Sequence, residues 1–182
     1  MGRNVLDEFA IKFCSIVEKH CDYILVSGFV AISSGRARAT EDIDMIIPKI
    51  TKQEFRSLHE DLVNNGFECM QGDNVGMIYD EYLRENTSIR YTLTNKFLPQ
   101  MEIKLAKDAL DEYQLRTRTK LELTGLDLWF SSVEMNIAFK EEYLGSDKDL
   151  KDAKHLRIVY AELINEEEIN KIKHMIKELR MK

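Results

Sequence analysis

The chain has 182 residues, 44% of them hydrophobic, which suits one compact domain or a domain with a small helical extension. No stretch approaches the roughly 20 continuous apolar residues that a bilayer span needs, and the N-terminus lacks a signal-peptide pattern, so we expect a cytoplasmic protein. The net charge of −6 is opposite to that typical of proteins that coat nucleic acid, and the three cysteines form no CxxC pair that would indicate zinc.

The first half of the chain alternates helical and strand patterns. Thr51 and Glu54 fit a capping box that opens a helix, and Pro48 stops the strand before it. The elements predicted in chain order are a helix at 4–20, a strand at 23–27, a short helix at 28–35, a strand at 42–47, a helix from about 51 to 65, a strand at 67–70, and a helix or irregular segment at 75–85.

The second half predicts a hairpin and then mainly helices. The predicted elements are strands at 88–93 and 99–106, a helix at 107–118, a strand or extended segment at 119–125, and three helices after residue 131, the first opened by a capping box of Ser131 and Glu134. This order predicts an α/β (α+β) fold with a mixed sheet and flanking helices, followed by a C-terminal helical part. We place a soft boundary between a core at 1–130 and a helical subdomain at 131–182.

Two carboxylates, Asp42 and Asp44, begin the strand "DIDMII". Because side chains alternate along a strand, both point to one face, with Cα atoms about 6.5–7 Å apart. Like charges at this distance repel each other, and a divalent cation removes that penalty. Carboxylate oxygens suit Mg²⁺, and two such ions about 3.5–4 Å apart can clamp the oxygens of a phosphoryl transfer. A solvated strand end or a capping turn is the structural alternative.

The surroundings of this pair favour a phosphate ligand. Ser27 and Gly28 lie between a strand and a helix, where backbone N–H groups can approach an anion. Arg38 and Thr40 lie in the loop that leads to the aspartates, and Arg38 can pair with a phosphate. Glu102 lies in the later hairpin, and if its strand pairs with the aspartate strand it arrives about 5 Å to the side. Three acids would then surround metal and substrate.

The stretch "SGFVAISSGRARATEDIDMII" resembles the signature of the nucleotidyltransferase superfamily related to DNA polymerase β. It is similar to the branch of the abortive-infection type IV toxins, and the tail "NIAFKEEYLGSDKDLKDAKHLR" is the second, weaker motif. The resemblance implies a Mg²⁺-dependent enzyme that moves an NMP group from a nucleoside triphosphate to a hydroxyl acceptor, as a toxin of a toxin–antitoxin pair. The acceptor is left open between a tRNA end, a protein and a small molecule.

The resemblance also implies roles for the matching residues of the first motif. Ser27 and Gly28 would hold the phosphates of the nucleotide. Asp42 and Asp44 would bind Mg²⁺, and Glu102 would be the third acid, assisting the metal or taking the proton of the acceptor hydroxyl.

The tail motif implies two further contacts. Lys140 would contact the triphosphate. Asp149 or Asp152 would be the acid of this motif, and we prefer Asp149.

Two positions depart from the family pattern. The usual Gly-Gly or Gly-Ser pair reads Ser27-Gly28, which removes backbone freedom at Ser27, and the third acid is Glu102 where aspartate is commoner. One alternative is therefore a catalytically degenerate nucleotide-binding or regulatory protein that acts through a partner protein. Another is an unrelated α/β domain with an accidental D-x-D, and it predicts that Glu102 lies on a different face from the aspartates.

Overall fold

The computed structural model describes residues 3–182, and over this range seven strands form one mixed sheet that eight α-helices flank. The helices are α1 (Val5–Val17), α2 (Gly28–Ser33), α3 (Lys52–Asn64), α4 (Val75–Ile78), α5 (Ala109–Arg116), α6 (Val133–Phe139), α7 (Asp147–Val159) and α8 (Glu166–Arg180). The strands are β1 (Ile24–Val26), β2 (Asp42–Ile47), β3 (Phe67–Cys69), β4 (Ile89–Leu93), β5 (Gln100–Leu105), β6 (Thr119–Lys120) and β7 (Trp129–Phe130).

The strand order is β3-β4-β5-β2-β1-β7-β6, so β2 lies near the middle of the sheet. Strand β2 pairs in antiparallel fashion with β1 and in parallel with β5. The register of the parallel pair sets Asp44 opposite Glu102, and β4 then sets Arg90 on the other side of Glu102. The predicted hairpin of β4 and β5 is therefore present, and its second strand is the lateral neighbour of the aspartate strand.

Alternating burial shows which face of the sheet is the core. Ile43 and Met45 of β2 are fully buried, as are Met101 and Ile103 of β5, whereas the residues between them are only half-buried. The core face packs against helices α1 and α3 through aromatic contacts, such as the edge-to-face pair of Phe13 with a strand phenylalanine 5.0 Å away. The polar side chains of β2 and β5 are consequently left on the opposite face.

The predicted capping box of α3 is confirmed, but that of α6 is wrong by one residue. Thr51 Oγ1 accepts from the N–H of Glu54 at 3.1 Å, and the carboxylate of Glu54 returns to the N–H of Thr51 at 2.7 Å. In α6 the capping residue is Ser132, whose Oγ accepts from the N–H of Met135. Ser131 is buried, and its carbonyl and hydroxyl oxygens accept from the amide of Asn136.

The C-terminal helices share the core of the sheet. Strand β7, which the sequence did not predict, pairs with β1 through Leu25 and Phe130, at the place where we set the domain boundary. One continuous apolar cluster runs from α1 through Phe130 to Ile172 and Ile176 of α8. Among residues 3–182, no helix combines the length and the apolar character that crossing a bilayer would take.

Candidate functional site

The polar face of β2 carries the two aspartates of the D-x-D motif. Asp42 and Asp44 are both half-buried, and neither carboxylate has a hydrogen-bond or ion-pair partner within residues 3–182. Burial, followed by the neighbouring charge of Glu102, raises the pKa of Asp44 to about 6. A buried acid with no cationic partner costs folding free energy, so the pair lacks a structural reason for its position.

Glu102 lies beside Asp44 on this same face, contrary to the alternative of an accidental D-x-D. Its carboxylate, however, is engaged on the far side. Oε1 accepts from Ser88 Oγ at 2.6 Å, and Oε2 accepts from Arg90 Nη2 at 3.3 Å. Within the described residues 3–182 no group of three or more acidic, histidine or cysteine side chains forms a ready metal cage. Asp42 and Asp44 are thus without partners within residues 3–182, and the neighbouring carboxylate of Glu102 is occupied by Ser88 and Arg90.

The donor set at the two aspartates fits Mg²⁺. This ion is commonly held by one or two carboxylates while waters and substrate phosphates fill its other positions. Asp42 and Asp44 offer only oxygen ligands, and burial and the charge of Glu102 raise the pKa of Asp44, although Lys104 and Arg90 act in the opposite direction. A divalent cation would favour the charged form of Asp44.

The turn between β1 and α2 stands next to these aspartates, because Val26 pairs with Asp44. Ser27 has φ 66° and ψ −136°, a conformation that favours glycine. Its N–H donates to Oδ1 of Asn136 at 3.2 Å, and Asn136 is itself fixed by its amide bonds to Ser131 and Ser132. A buried asparagine of α6 therefore holds the strained turn, a support that no sequence pattern indicated.

The guanidinium of Arg38 lies directly against the backbone of the turn at Gly28. A Cβ at Gly28 would lie 2.6 Å from Arg38 Nη2, closer than any side chain permits. Arg38 cannot simply move away, since its guanidinium makes a two-pronged pair with Asp152, at 2.9 Å from Nε and 2.7 Å from Nη2. The glycine is thus required by a close approach of a side chain to the backbone.

Asp152 of α7 gathers three cations at this place. Besides Arg38, Lys140 Nζ donates to Asp152 Oδ2 at 3.0 Å, and Arg36 Nε lies 3.3 Å from Oδ1. Asp152 is fully buried; although burial raises its pKa, the hydrogen bonds from Arg38 and Lys140 hold that pKa below its ordinary value. Three positive groups on one carboxylate leave an excess of positive charge next to the glycine turn.

The two acids of the tail motif therefore have different environments. Asp149, the acid that we preferred, belongs to the capping box of α7: its carboxylate accepts from the N–H of Ser146 at 3.2 Å, and it lies 3.9 Å from Lys140 Nζ. Asp152 makes the closer contacts to the cations. The spacing of the motif could not separate them, because both are on the same helix, one turn apart.

Lys140 is 1% exposed and begins a π-helical turn, Lys140–Leu144, at the end of α6. Such turns are often found at functional sites. Thr40 has a local role in this structure, since its Oγ1 donates to the backbone carbonyl of Asp42 at 3.1 Å and so fixes the start of β2.

A cavity of about 190 Å³ lies between this face of the sheet and the C-terminal helices. Four of the predicted site residues line it, namely Ser27, Asp44, Glu102 and Lys140. The other five, Gly28, Arg38, Thr40, Asp42 and Asp149, lie outside its lining. Lining residues that the sequence analysis did not single out are Lys104, Asp111, Gln114, Tyr143 and Arg180. Of these, only Lys104 carried a signal, the shared strand face with Glu102.

Solved structures of low sequence identity share this fold. The antibiotic-resistance factor ANT(2'')-Ia, an aminoglycoside nucleotidyltransferase, matches in its solution structure with a TM-score of 0.53 and 14% identity over 94% of this chain and 93% of that one. Its crystal structure with adenylyl-2''-tobramycin matches with 0.55 and 13%, over 96% and 98%. JHP933 from Helicobacter pylori matches with a TM-score of 0.43 and 12% identity, over 99% of this chain and 94% of that one.

No protein-family model and no curated sequence matches the chain significantly. The solved structures confirm the predicted fold class: a mixed α/β architecture of the nucleotidyltransferase type. The abortive-infection branch stays a prediction, since none of these structures is described as a member of it.

Proposed function

We propose that this protein is a Mg²⁺-dependent nucleotidyltransferase that moves an NMP group from a nucleoside triphosphate to a hydroxyl acceptor. The observation that carries the proposal is the pair of unpartnered acids, Asp42 and Asp44, on one strand face beside the turn at Gly28. The fold shared with an aminoglycoside nucleotidyltransferase supports it. A degenerate, purely regulatory protein is not favoured, because that role gives no reason to keep two unpartnered, half-buried acids on one strand face.

Asp42 and Asp44 are the residues that would hold Mg²⁺, and Glu102 would complete the set if its side chain turned from Arg90 towards Asp44. When bound, the ion would neutralise charge on the phosphates and orient the α-phosphoryl group. A two-ion site would need all three carboxylates.

The chain's own groups would position the nucleotide. The N–H groups of the Ser27-Gly28 turn would approach the phosphates, and the excess positive charge of Arg36, Arg38 and Lys140 over Asp152 would attract them. Because Asp152 fixes Arg38 and Lys140 in advance, they would not need to be ordered when the substrate binds.

Glu102 would act on the acceptor. The acceptor oxygen attacks the α-phosphorus and forms a new P–O bond, while the bond to the bridging oxygen breaks and pyrophosphate leaves with its electron pair. The proton of the hydroxyl passes to the carboxylate of Glu102, whose pairing with Arg90 would be given up for it. Positioning and charge neutralisation supply most of the rate enhancement in such reactions.

A small-molecule acceptor is favoured over a tRNA end or a protein. The crystal structure of ANT(2'')-Ia contains adenylyl-2''-tobramycin, an aminoglycoside that carries an adenylyl group. The net charge of −6 also opposes a long RNA contact. The toxin role and a partner protein, both predicted from the resemblance, form no part of this proposal.

Incubation with each of the four α-labelled nucleoside triphosphates, Mg²⁺ and a cell extract tests the proposal. We expect label transfer that disappears with EDTA and falls at least 100-fold in Asp42→Asn and Asp44→Asn, because each removes a metal ligand. Asp73→Asn, an exposed acid outside the cavity, is the matched control and should retain full transfer. The absence of label transfer, together with the absence of Mg-nucleotide binding by calorimetry, would refute the proposed nucleotidyltransferase activity.

A further inference from the structure

The cavity is lined by residues of β1, β2 and β5, and the acceptor would bind at its β5 side, where Glu102 and Lys104 lie. The Ser27-Gly28 turn ends β1 on one side of β2, and Glu102 lies on β5 on the other side. If the phosphates occupy the turn, as the proposed function requires, the attacking hydroxyl approaches from Glu102. The next side chain on that strand face is Lys104, which lines the cavity together with Glu102. Lys104 is therefore the cation nearest to the acceptor along β5.

The other charged groups of the cavity are already paired. Arg180 donates to Asp111 at 3.0 Å, Lys140 donates to Asp152 at 3.0 Å, and Glu102 accepts from a strand arginine at 3.3 Å. The pairs of Arg180 and Glu102 are close to neutral for a ligand on the acceptor side, whereas the excess positive charge around Asp152 lies beside the turn assigned to the phosphates.

Two charged side chains of the cavity remain unpaired within residues 3–182: Asp44 and Lys104. Asp44 would be neutralised by the metal ion in the proposed function. Lys104 is then a cation without an ion-pair partner, within residues 3–182, on the acceptor side. In a half-buried cleft of lowered dielectric, such a cation attracts an anionic group and repels a second cation.

The neutral lining adds a hydrogen-bond acceptor. Gln114 is 3% exposed, and its Nε2 donates to Asp111 Oδ1 at 3.1 Å. The carboxylate of Asp111 also accepts from Arg180, and a carboxylate can only accept hydrogen bonds, so the NH2 group of Gln114 must face it. The Oε1 of Gln114 is therefore left to accept from a ligand donor. A hydroxyl group of the acceptor satisfies it.

We propose that the acceptor is a small hydroxyl compound bearing a phosphate or a carboxylate group that Lys104 binds. This rests on the proposed function and names its substrate class. The whole cavity of about 190 Å³ is below the roughly 300–1,000 Å³ of drug-sized ligand pockets, and Ser27 and Lys140, assigned to the nucleotide, line part of it, so a compound of sugar-phosphate or hydroxy-acid size fits the rest better than a large one. A polycationic aminoglycoside is disfavoured by the charge of Lys104, despite the fold shared with ANT(2'')-Ia.

The test uses the full-length protein with Mg²⁺, α-labelled nucleoside triphosphate and matched acceptor pairs. The pairs are glycerol with glycerol 3-phosphate, glucose with glucose 6-phosphate, and glycerol with glycerate, and tobramycin is the cationic arm. We expect label on the anionic member of at least one pair, at least tenfold above its neutral partner and above tobramycin. The phosphate and carboxylate arms separate the two sources of anionic charge.

Lys104→Met should raise the KM for the anionic acceptor at least tenfold, while kcat and the Kd of the nucleotide change little. Lys104→Glu should abolish use of the anionic acceptor. Lys107→Met, at an exposed lysine outside the cavity, is the matched control and should behave like the wild type.

Equal or better use of neutral or cationic acceptors would overturn the acceptor proposal, as would an unchanged KM in Lys104→Met. So would nucleotide binding without transfer to any anionic acceptor of the panel. The proposed function would survive these results if Mg-nucleotide binds and label reaches another acceptor. The proposed function itself would be overturned if the protein bound no Mg-nucleotide.

Discussion

Ser27 occupies a backbone conformation that suits glycine, and its side chain makes no capping hydrogen bond within the described part of the chain. The strain is maintained by Asn136, which accepts from the N–H of Ser27 and is fixed to α6. The departure from the family pattern noted in the sequence is thus a real constraint at this residue, although the turn keeps its position next to Asp44.

Ser27→Gly should stabilise the protein by about 1 kcal/mol, because glycine adopts a positive φ without steric cost. Chemical denaturation of both proteins measures the difference. The same substitution at Ser57, an exposed position inside α3, should instead destabilise by about 0.5 kcal/mol, since glycine weakens a helix. Equal effects at both positions would contradict the strain at Ser27.

Asp44 predicts how the stability of the metal-free protein depends on pH. Its pKa of about 6 in the folded protein lies above the ordinary 3.8, so the folded state holds the proton more tightly than the unfolded state. Stability should therefore fall as pH rises from about 4 to 6, and the loss, on the order of 1–3 kcal/mol, should be complete above pH 6.

Asp44→Asn should remove this loss. At pH 7.5 without metal the variant should be more stable than the wild type by on the order of 1–3 kcal/mol, and it should gain less from added Mg²⁺. Thermal unfolding at several pH values with and without Mg²⁺ measures both effects, and Asp73→Asn is the control. A wild type that becomes steadily more stable between pH 4 and 6, relative to Asp44→Asn, would contradict the raised pKa.

At the scale of elements, Asp152 ties three separate segments together. It connects α7 with the loop before β2, through Arg38, and with the π-helical turn after α6, through Lys140. Because Asp152 is fully buried, these cations depend on it for charge compensation. Asp149 instead completes the capping box that Ser146 opens at the start of α7.

Asp152→Asn should destabilise the protein by about 3–5 kcal/mol, since breaking a buried pair leaves charges without a partner. Asp149→Asn, one turn earlier on the same helix, should cost only about 1 kcal/mol, as expected for the loss of one capping-box contact at a helix start. Denaturation gives the stabilities, and calorimetry with Mg-nucleotide gives the binding. A larger loss of nucleotide binding in Asp149→Asn than in Asp152→Asn would support Asp149 as the functional acid of the tail.

At the scale of the whole molecule, the boundary that we placed at residue 130 falls inside the packing. Strand β7 ends there within the sheet, and the apolar cluster that contains Phe130 also contains Ile172 and Ile176. Helices α6 and α8 close one wall of the cavity, through Asn136 and Arg180. The helical part and the sheet are therefore needed together for the candidate site.

We expect the full chain to unfold in one cooperative transition, because both parts share one core. Trp129, the single tryptophan, lies at the predicted boundary and reports by fluorescence on the contact, while circular dichroism reports on the helices. The two denaturation curves should coincide. Two separated midpoints would show that residues 1–130 and 131–182 are independent units.

The sequence by itself determined the elements and the face of the aspartates. Alternation along β2 sets Asp42 and Asp44 together because side-chain direction in a strand is a local property. The capping box at Thr51 was readable for the same reason. The box at Ser131 was wrong because α6 begins one residue later, at Ser132, and Glu134 accepts from the N–H of the distant Asn165. Strand β7 is too short to give a periodic signal.

Only the tertiary structure decided how distant segments meet. The pairing of β2 with β5 brings Glu102 beside Asp44, yet the engagement of its carboxylate with Arg90 depends on a third strand. Arg38 and Asp152 are 114 residues apart in the sequence, so no local sequence pattern could predict their ion pair. Hydrogen bonds and burial between such segments follow from packing the whole chain, so the sequence could propose the acids but not their partners.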